Sequence, residues 1–136
     1  RCPERRTLAV MAIDPSGHDL QRFLAQPDDG APVVMLNLLR FGDDGRARYE
    51  AYMRATAPHL ARVGGSLLYA GVGDAALIAE AGQAWDAVLL VRYPSRAAFL
   101  AMVADPAYQA VARLRHDALV EAVLQPTHPW QVSPTP

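Results

Sequence analysis

The chain has 136 residues, enough for one domain with a core of useful size. It is 51% hydrophobic and 20% charged with a formal net charge of −1, a globular composition whose lack of a basic stripe or acidic tail argues against nucleic acid as the main partner. One cysteine, Cys2, can form neither an internal disulfide nor a cysteine metal cluster, so a reducing compartment is expected. No apolar run approaches the ~20 residues of a membrane span, and no signal-peptide pattern is visible. A cytoplasmic protein with no membrane partner is the expectation. The chain begins at Arg1 rather than Met, so its first residues are read as a processed end and carry no weight.

Leu8–Ile13 is a short apolar run suited to an extended lead-in. Asp14-Pro15-Ser16-Gly17 stops it. Ser16 can cap a helix of about two turns whose face carries Leu20, Phe23 and Leu24. Pro27-Asp28-Asp29-Gly30 ends that helix. Val33–Phe41 follows, apolar on both alternations and therefore expected to be buried on both faces. Asn37 is its polar exception, a buried amide that must find partners or cost about 1–3 kcal/mol. Period-two spacing puts Met35, Asn37 and Leu39 on one face, expected to meet the helices. Val34, Leu36, Leu38 and Arg40 fall on the other.

After a Gly42–Gly45 turn, Tyr49, Tyr52, Met53, Thr56, Leu60 and Val63 mark a helix over 47–63, stopped by Gly64-Gly65. Pro58 removes a donor inside it and is expected to kink it near Arg54–Ala55. Ser66–Gly73 reads as a strand, Ala76–Glu80 as a short strand-like piece, and Gln83–Tyr93 as a longer strand. Ser95 caps a short helix over 96–103. Asp105 and Pro106 start another, with Tyr108, Val111, Ala112, Arg115, Ala118, Leu119 and Ala122 on one face. Gln125–Val132 is a last, edge-like strand interrupted by Pro126 and Pro129.

Strand, helix, strand, strand, helix, strand is the split βαβ pattern of an α+β, ferredoxin-like fold, here with an extra N-terminal helix. Residues 1–31 form the N-terminal extension, 32–132 the sheet-and-helix domain and 133–136 a tail. Both helices of such a fold cover one face of an antiparallel sheet. The strands are apolar on both faces, so something must cover the second. A second copy of the chain is the simplest cover, and a homodimer is expected. The alternative cover is the N-terminal helix.

PVVMLNLLRF, then Tyr49 and Tyr52, GGSLLYAG, WDAVLLVRYPSRAAFLAMVADPAYQ and Arg115 together resemble domain-of-unknown-function family 1330, over about Pro32 to Leu124. The resemblance implies membership of the dimeric α/β-barrel superfamily, with a sheet-to-sheet dimer and a pocket between sheet and helices. That superfamily includes cofactor-free quinone-forming monooxygenases, haem-degrading enzymes, muconolactone isomerases and polyketide cyclases. It implies where a site lies, not what the site does. In its cofactor-free oxygenases an Asn on the first strand works with a Trp; by type and element, Asn37 and Trp85 offer such a pair.

From the residues themselves, Asn37 can hold a carbonyl or enolate-like oxygen, or simply bond to neighbouring backbone. Trp85 can wall a pocket or pack at a strand end. Arg40, Arg92 and Arg115 can bind a carboxylate or pair with Asp86, Glu50 or Glu121. Arg115 stands out because its own helix face carries no acid. Tyr49, Tyr52 and Tyr69 can supply hydroxyls. Tyr52 and His59, seven residues apart, form a possible general-base pair. His18, His116 and His128 suit surface roles. Four histidines without two-ligand spacing give no metal site. Gly71-Val72-Gly73 lacks a following helix, so nucleotide binding is not expected. Ser66, Ser95 and Ser133 lack a nucleophile-elbow context.

The expected function is binding of a small carbonyl- or carboxylate-bearing organic molecule. If the domain is an enzyme, it acts without a cofactor, by acid–base or electrostatic chemistry through Asn37, Tyr52, His59 and Arg115. Arg40, Tyr49, Tyr69, Trp85 and Arg92 would contact substrate. The alternatives are a cofactor-free monooxygenase of the antibiotic-biosynthesis type, a non-catalytic ligand-binding or stress-related module, and a haem binder.

Overall fold

A computed structural model of the chain describes residues 12–27 and 29–131. The Leu8–Met11 part of the expected lead-in, Cys2 and the 133–136 tail lie outside the described residues. The elements are α1 (Gly17–Ala25), β1 (Val33–Phe41), α2 (Gly45–Arg62), β2 (Ser66–Val72), β3 (Ala87–Tyr93), α3 (Arg96–Val103), α4 (Pro106–Ala118) and β4 (Leu119–Thr127). The strands form one sheet in the order β2-β3-β1-β4, and every neighbouring pair is antiparallel. This is the expected α+β, ferredoxin-like architecture with an N-terminal helix.

Local chemistry fixes the helix ends. Ser16, Ser95 and Asp105 accept from the backbone N–H groups of Asp19, Ala98 and Ala107, each satisfying one orphan donor. α2 runs through Pro58 as a single element and ends where Gly64 takes a φ of 80°, which glycine adopts without strain.

Strand boundaries differ from expectation in two places. Residues 76–80 form no strand; the segment between β2 and β3 is a loop, with Leu77 and Ile78 almost fully exposed. β3 starts at Ala87 instead of Gln83, and Asp86 just before it is tied to β1. Its carboxylate accepts from Phe41 N–H at 2.9 Å and its own N–H donates to Leu39 O at 2.8 Å. The last helix stops at Ala118, so Leu119 and Ala122 belong to β4, which spans Leu119–Thr127 rather than 125–132. A register shift explains the misreading. Arg40 pairs with Glu121 but Phe41 with Leu119, leaving Val120 as an extra residue. That bulge resets the strand alternation, and inward residues fall at 119 and 122, a spacing that imitates a helix.

The two sheet faces are unequal. Val33, Met35, Asn37 and Leu39 of β1 are buried, and their partners Tyr93, Val91, Leu89 and Ala87 on β3 share that face. α2, α3 and α4 cover it, and the core lies between. Val34, Leu36, Leu38, Val88 and Leu90 line the opposite face and are only half-buried. α1 does not cover that face. Leu20 and Phe23 pack against the helix-side core, and Phe23 meets Phe99 edge-on at 5.4 Å.

Candidate functional site

A cavity of about 360 Å³ opens between the sheet and the helices, at the small end of ligand-binding pockets. Alternation along β1 and β3 aims Met35, Asn37, Leu89, Val91 and Tyr93 into it from the floor. Spacings of three and four along α2 bring Tyr49, Tyr52, Met53 and Thr56 to its roof. α4 contributes Tyr108 and Arg115, two turns apart, while α3 contributes Phe99 and Met102. Asp14, Pro15 and Leu20 close one side from the N-terminal segment.

The walls are largely apolar and the polar groups few. Asn37 answers the question its strand poses. Its amide donates to Met35 O at a long 3.3 Å, and among the described residues that is its side chain's one hydrogen bond. The amide is therefore barely engaged by the fold and faces the cavity. Arg115 is only 7% exposed. Its Nη1 donates to Ile13 O at 2.7 Å and to Asp14 Oδ1 at 3.3 Å. The acid missing from its own helix thus arrives from the N-terminal segment. Its Nη2 is buried with no acceptor, and Thr56 Oγ1 is likewise unpartnered. These are the two such side-chain atoms among the described residues, and both belong to cavity-lining residues. Leaving a buried donor unmet costs about 1–3 kcal/mol, and more when it is charged.

Four tyrosines complete the lining. The hydroxyls of Tyr52 and Tyr108 are 2.8 Å apart, and the Tyr49 and Tyr52 rings lie 5.2 Å apart. Burial is the main cause holding the phenols of Tyr49, Tyr93 and Tyr108 well above the ordinary range, with the Tyr52 phenol adding to it. The Arg115 guanidinium opposes the shift but does not reverse it. These three phenols stay neutral at physiological pH and can act as donors. Asp14, half exposed and already engaged, is the sole carboxylate of the lining.

Of the residues singled out from sequence, Asn37, Tyr49, Tyr52 and Arg115 meet in this cavity. The other five lie outside it. His59 is turned to the edge of the Tyr108 ring, 6.2 Å away, with Nδ1 2.9 Å from Arg62 Nη2. Tyr52 pairs with Tyr108 instead, so the Tyr52–His59 pair does not form. Arg40 emerges on the other face, where it donates to Glu121 Oε1 at 2.9 Å and to the carbonyls of Ala84 and Gly82. Trp85 lies beneath that guanidinium, 4.4 Å from ring centroid to Cζ, and therefore makes no pair with Asn37. Arg92 stands opposite Val34 and Ser66 on the open face. Tyr69 is exposed on the edge strand β2. Glu50 pairs with Arg46.

Sequence reasoning missed Thr56, Tyr93 and Tyr108 as lining residues. The signal for them was parity and spacing. Tyr93 shares the β3 face of Leu89 and Val91, Thr56 follows Tyr52 by four, and Tyr108 precedes Arg115 by seven. Asp14 carried no such signal, because its contact spans about a hundred residues of sequence. No group of three or more His, Cys, Asp or Glu among the described residues is placed to hold a metal, and no helix among them is long and apolar enough to cross a membrane.

A four-stranded antiparallel sheet with helices on one face, enclosing a cavity between the layers, defines a ferredoxin-like α+β domain. Residues 40–124 match the model of a domain of unknown function, DUF1330, and the chain belongs to that family. The RPA0582 protein of unknown function from Rhodopseudomonas palustris is similar along nearly its whole length. It shows 32% identity and a TM-score of 0.81, over 90% of this chain and 99% of that one. SnoaB, a cofactor-independent oxygenase from Streptomyces nogalater, shares the fold at 17% identity and a TM-score of 0.56, over 77% of this chain and 99% of that one. A dimeric ferredoxin-like protein of unknown function from Thermobifida fusca does so at 19% identity and a TM-score of 0.50, over 74% and 92%. No curated protein matches the chain.

Proposed function

We propose that the cavity binds a small organic molecule through a carboxylate or a carbonyl oxygen that gains negative charge, in a homodimer with one such site per subunit. The observation that carries this reading is the buried, acceptor-less Nη2 of Arg115 in an otherwise apolar, tyrosine-lined cavity. A ligand oxygen supplies the acceptor that the fold withholds. Asn37 and neutral phenols add further donors, and donors fixed in a dry site stabilise an oxyanion strongly. A catalytic role, if the domain has one, is then electrostatic and needs no cofactor. Asn37 and Arg115 hold the charged oxygen, while the Tyr52–Tyr108 pair leaves one hydroxyl proton free to donate. His59, outside the cavity, takes no part in this reading. The homodimer is supported by the half-buried apolar residues of the open sheet face, and the fold-mate from Thermobifida fusca is described as dimeric.

Isothermal titration of the purified protein with butanoate and benzoate tests the reading. Saturable binding is expected, weakened at least about tenfold in Arg115→Gln with the circular dichroism spectrum unchanged. Asn37→Ala should weaken it less. Affinities that survive Arg115→Gln untouched would exclude the cavity as the anion site.

A further inference from the structure

A second hollow, of about 620 Å³, lies under α1 and along β4. It shares Asp14, Pro15, Leu20, Met35, Phe99 and Leu124 as walls with the first cavity, so a mostly apolar set of residues lies between the two. Met35 is the most adaptable part of that partition. α1 itself is unusual. Nine residues are too few for a stable isolated helix, and such a helix normally persists by burying its apolar stripe. None of the residues of α1 is buried. Leu20 and Phe23 pack only in part against the core and also line the hollow.

The charged groups around this hollow are already committed. Asp19 and Arg22 pair at 2.8 Å, Asp14 reaches His116 Nδ1 at 2.7 Å, and Arg96 donates to Phe23 O at 3.2 Å while lying 3.1 Å from His128. Nothing in it calls for a second ligand charge, whereas Leu20, Phe23, Met35, Phe99 and Leu124 give an apolar occupant its walls.

We infer that the two cavities are one bipartite site for an elongated amphipathic monocarboxylate, such as a medium-chain alkanoate. The carboxylate meets Arg115 in the first cavity. The chain passes between Met35, Phe99 and Leu20 into the hollow beneath α1 and completes the burial that this helix lacks. This rests on the anion-binding reading above and adds to it the substrate class and the path of the tail.

Titration calorimetry with butanoate and octanoate at one pH, on wild type and on Ala122→Leu, tests the inference. Ala122 lines the second hollow only, and a leucine there takes up part of it. Each methylene buried as in a protein core tightens binding about fourfold. Octanoate should therefore bind wild type at least about thirtyfold more tightly than butanoate, and that ratio should fall several-fold in Ala122→Leu. Butanoate binding without a chain-length gain in wild type overturns the bipartite site while leaving the anion site standing. A gain of equal size in both proteins also overturns it, since the tail then lies elsewhere. Failure of both acids to bind removes the anion-binding reading and this inference together. The wild-type ratio decides the matter even if the variant does not fold.

Discussion

The hydroxyl oxygens of Tyr52 and Tyr108 meet at 2.8 Å inside the cavity wall and join α2 to α4. Only one of the two can donate to the other, so the second proton stays available to whatever occupies the cavity. Removing one partner leaves a buried hydroxyl unpaired, whereas removing both leaves two aromatic rings of nearly the same shape. Tyr52→Phe and Tyr108→Phe should each cost about 1–3 kcal/mol in urea unfolding, and the double variant clearly less than their sum. Additive costs would show that the pair is not a bonded unit.

The buried phenols also make the fold sensitive to alkali. Burial, reinforced by the neighbouring Tyr52 phenol, raises Tyr49, Tyr93 and Tyr108 in the folded state above the unfolded value of about 10. Above that pH the unfolded chain gives up protons that the folded one keeps, so the unfolded state binds fewer and stability falls as pH rises. The contribution is fully present below about pH 10 and is lost above it. In a titration followed at 295 nm, these three phenols should ionise together with the loss of ellipticity. Their ionisation in a still-folded protein would contradict their placement in the cavity wall.

Asp14 competes with any ligand for Arg115. Its carboxylate is half exposed and only 3.3 Å from Nη1, so the attraction is screened and contributes well under about 1 kcal/mol to stability. Asp14→Asn should therefore barely move the unfolding midpoint. It should tighten carboxylate binding a few-fold, because it removes the lining's one negative charge. Weaker binding in this variant would mean that Asp14 positions the guanidinium rather than opposing the ligand.

The fold was legible in the sequence because the signals that carry it are local. A continuous apolar run marked β1, and Ser16, Ser95 and Asp105 announced their helices through short-range caps. Face assignment of Asn37 followed from period-two spacing once two helices were expected above the sheet. The end of α4 was not legible, since the bulge at Val120 is set by pairing with Arg40 and Phe41, some eighty residues away. The site was half legible for the same reason. Arg115 stood out as a cation on an apolar helix face, but its partners Ile13 and Asp14 come from the opposite end of the chain. Arg40 misled because strand parity places it on the open face, where Glu121 of the neighbouring strand satisfies it. Tyr52 and His59 misled because a shared helix face does not ensure a shared cavity.

The open face of the sheet carries the last prediction. Leu36 and Leu90 are cross-strand partners at its centre and are only half-buried, and α1, the one described element that could have covered them, packs on the other side. A persistent monomer would keep this apolar strip in water. A stable two-fold contact that removes it needs about 800 Å² from each copy. Sedimentation equilibrium should accordingly give twice the 14.7 kDa chain mass. Leu36→Glu should halve it with secondary structure retained, because the substituted side chain faces away from the core and from the cavity. Carboxylate binding should persist in that monomer, since Asn37 and the cavity lie on the sheet face opposite Leu36. A wild-type monomer at micromolar concentration would sink the dimer. Binding lost along with dimerisation would show instead that the partner copy completes the site.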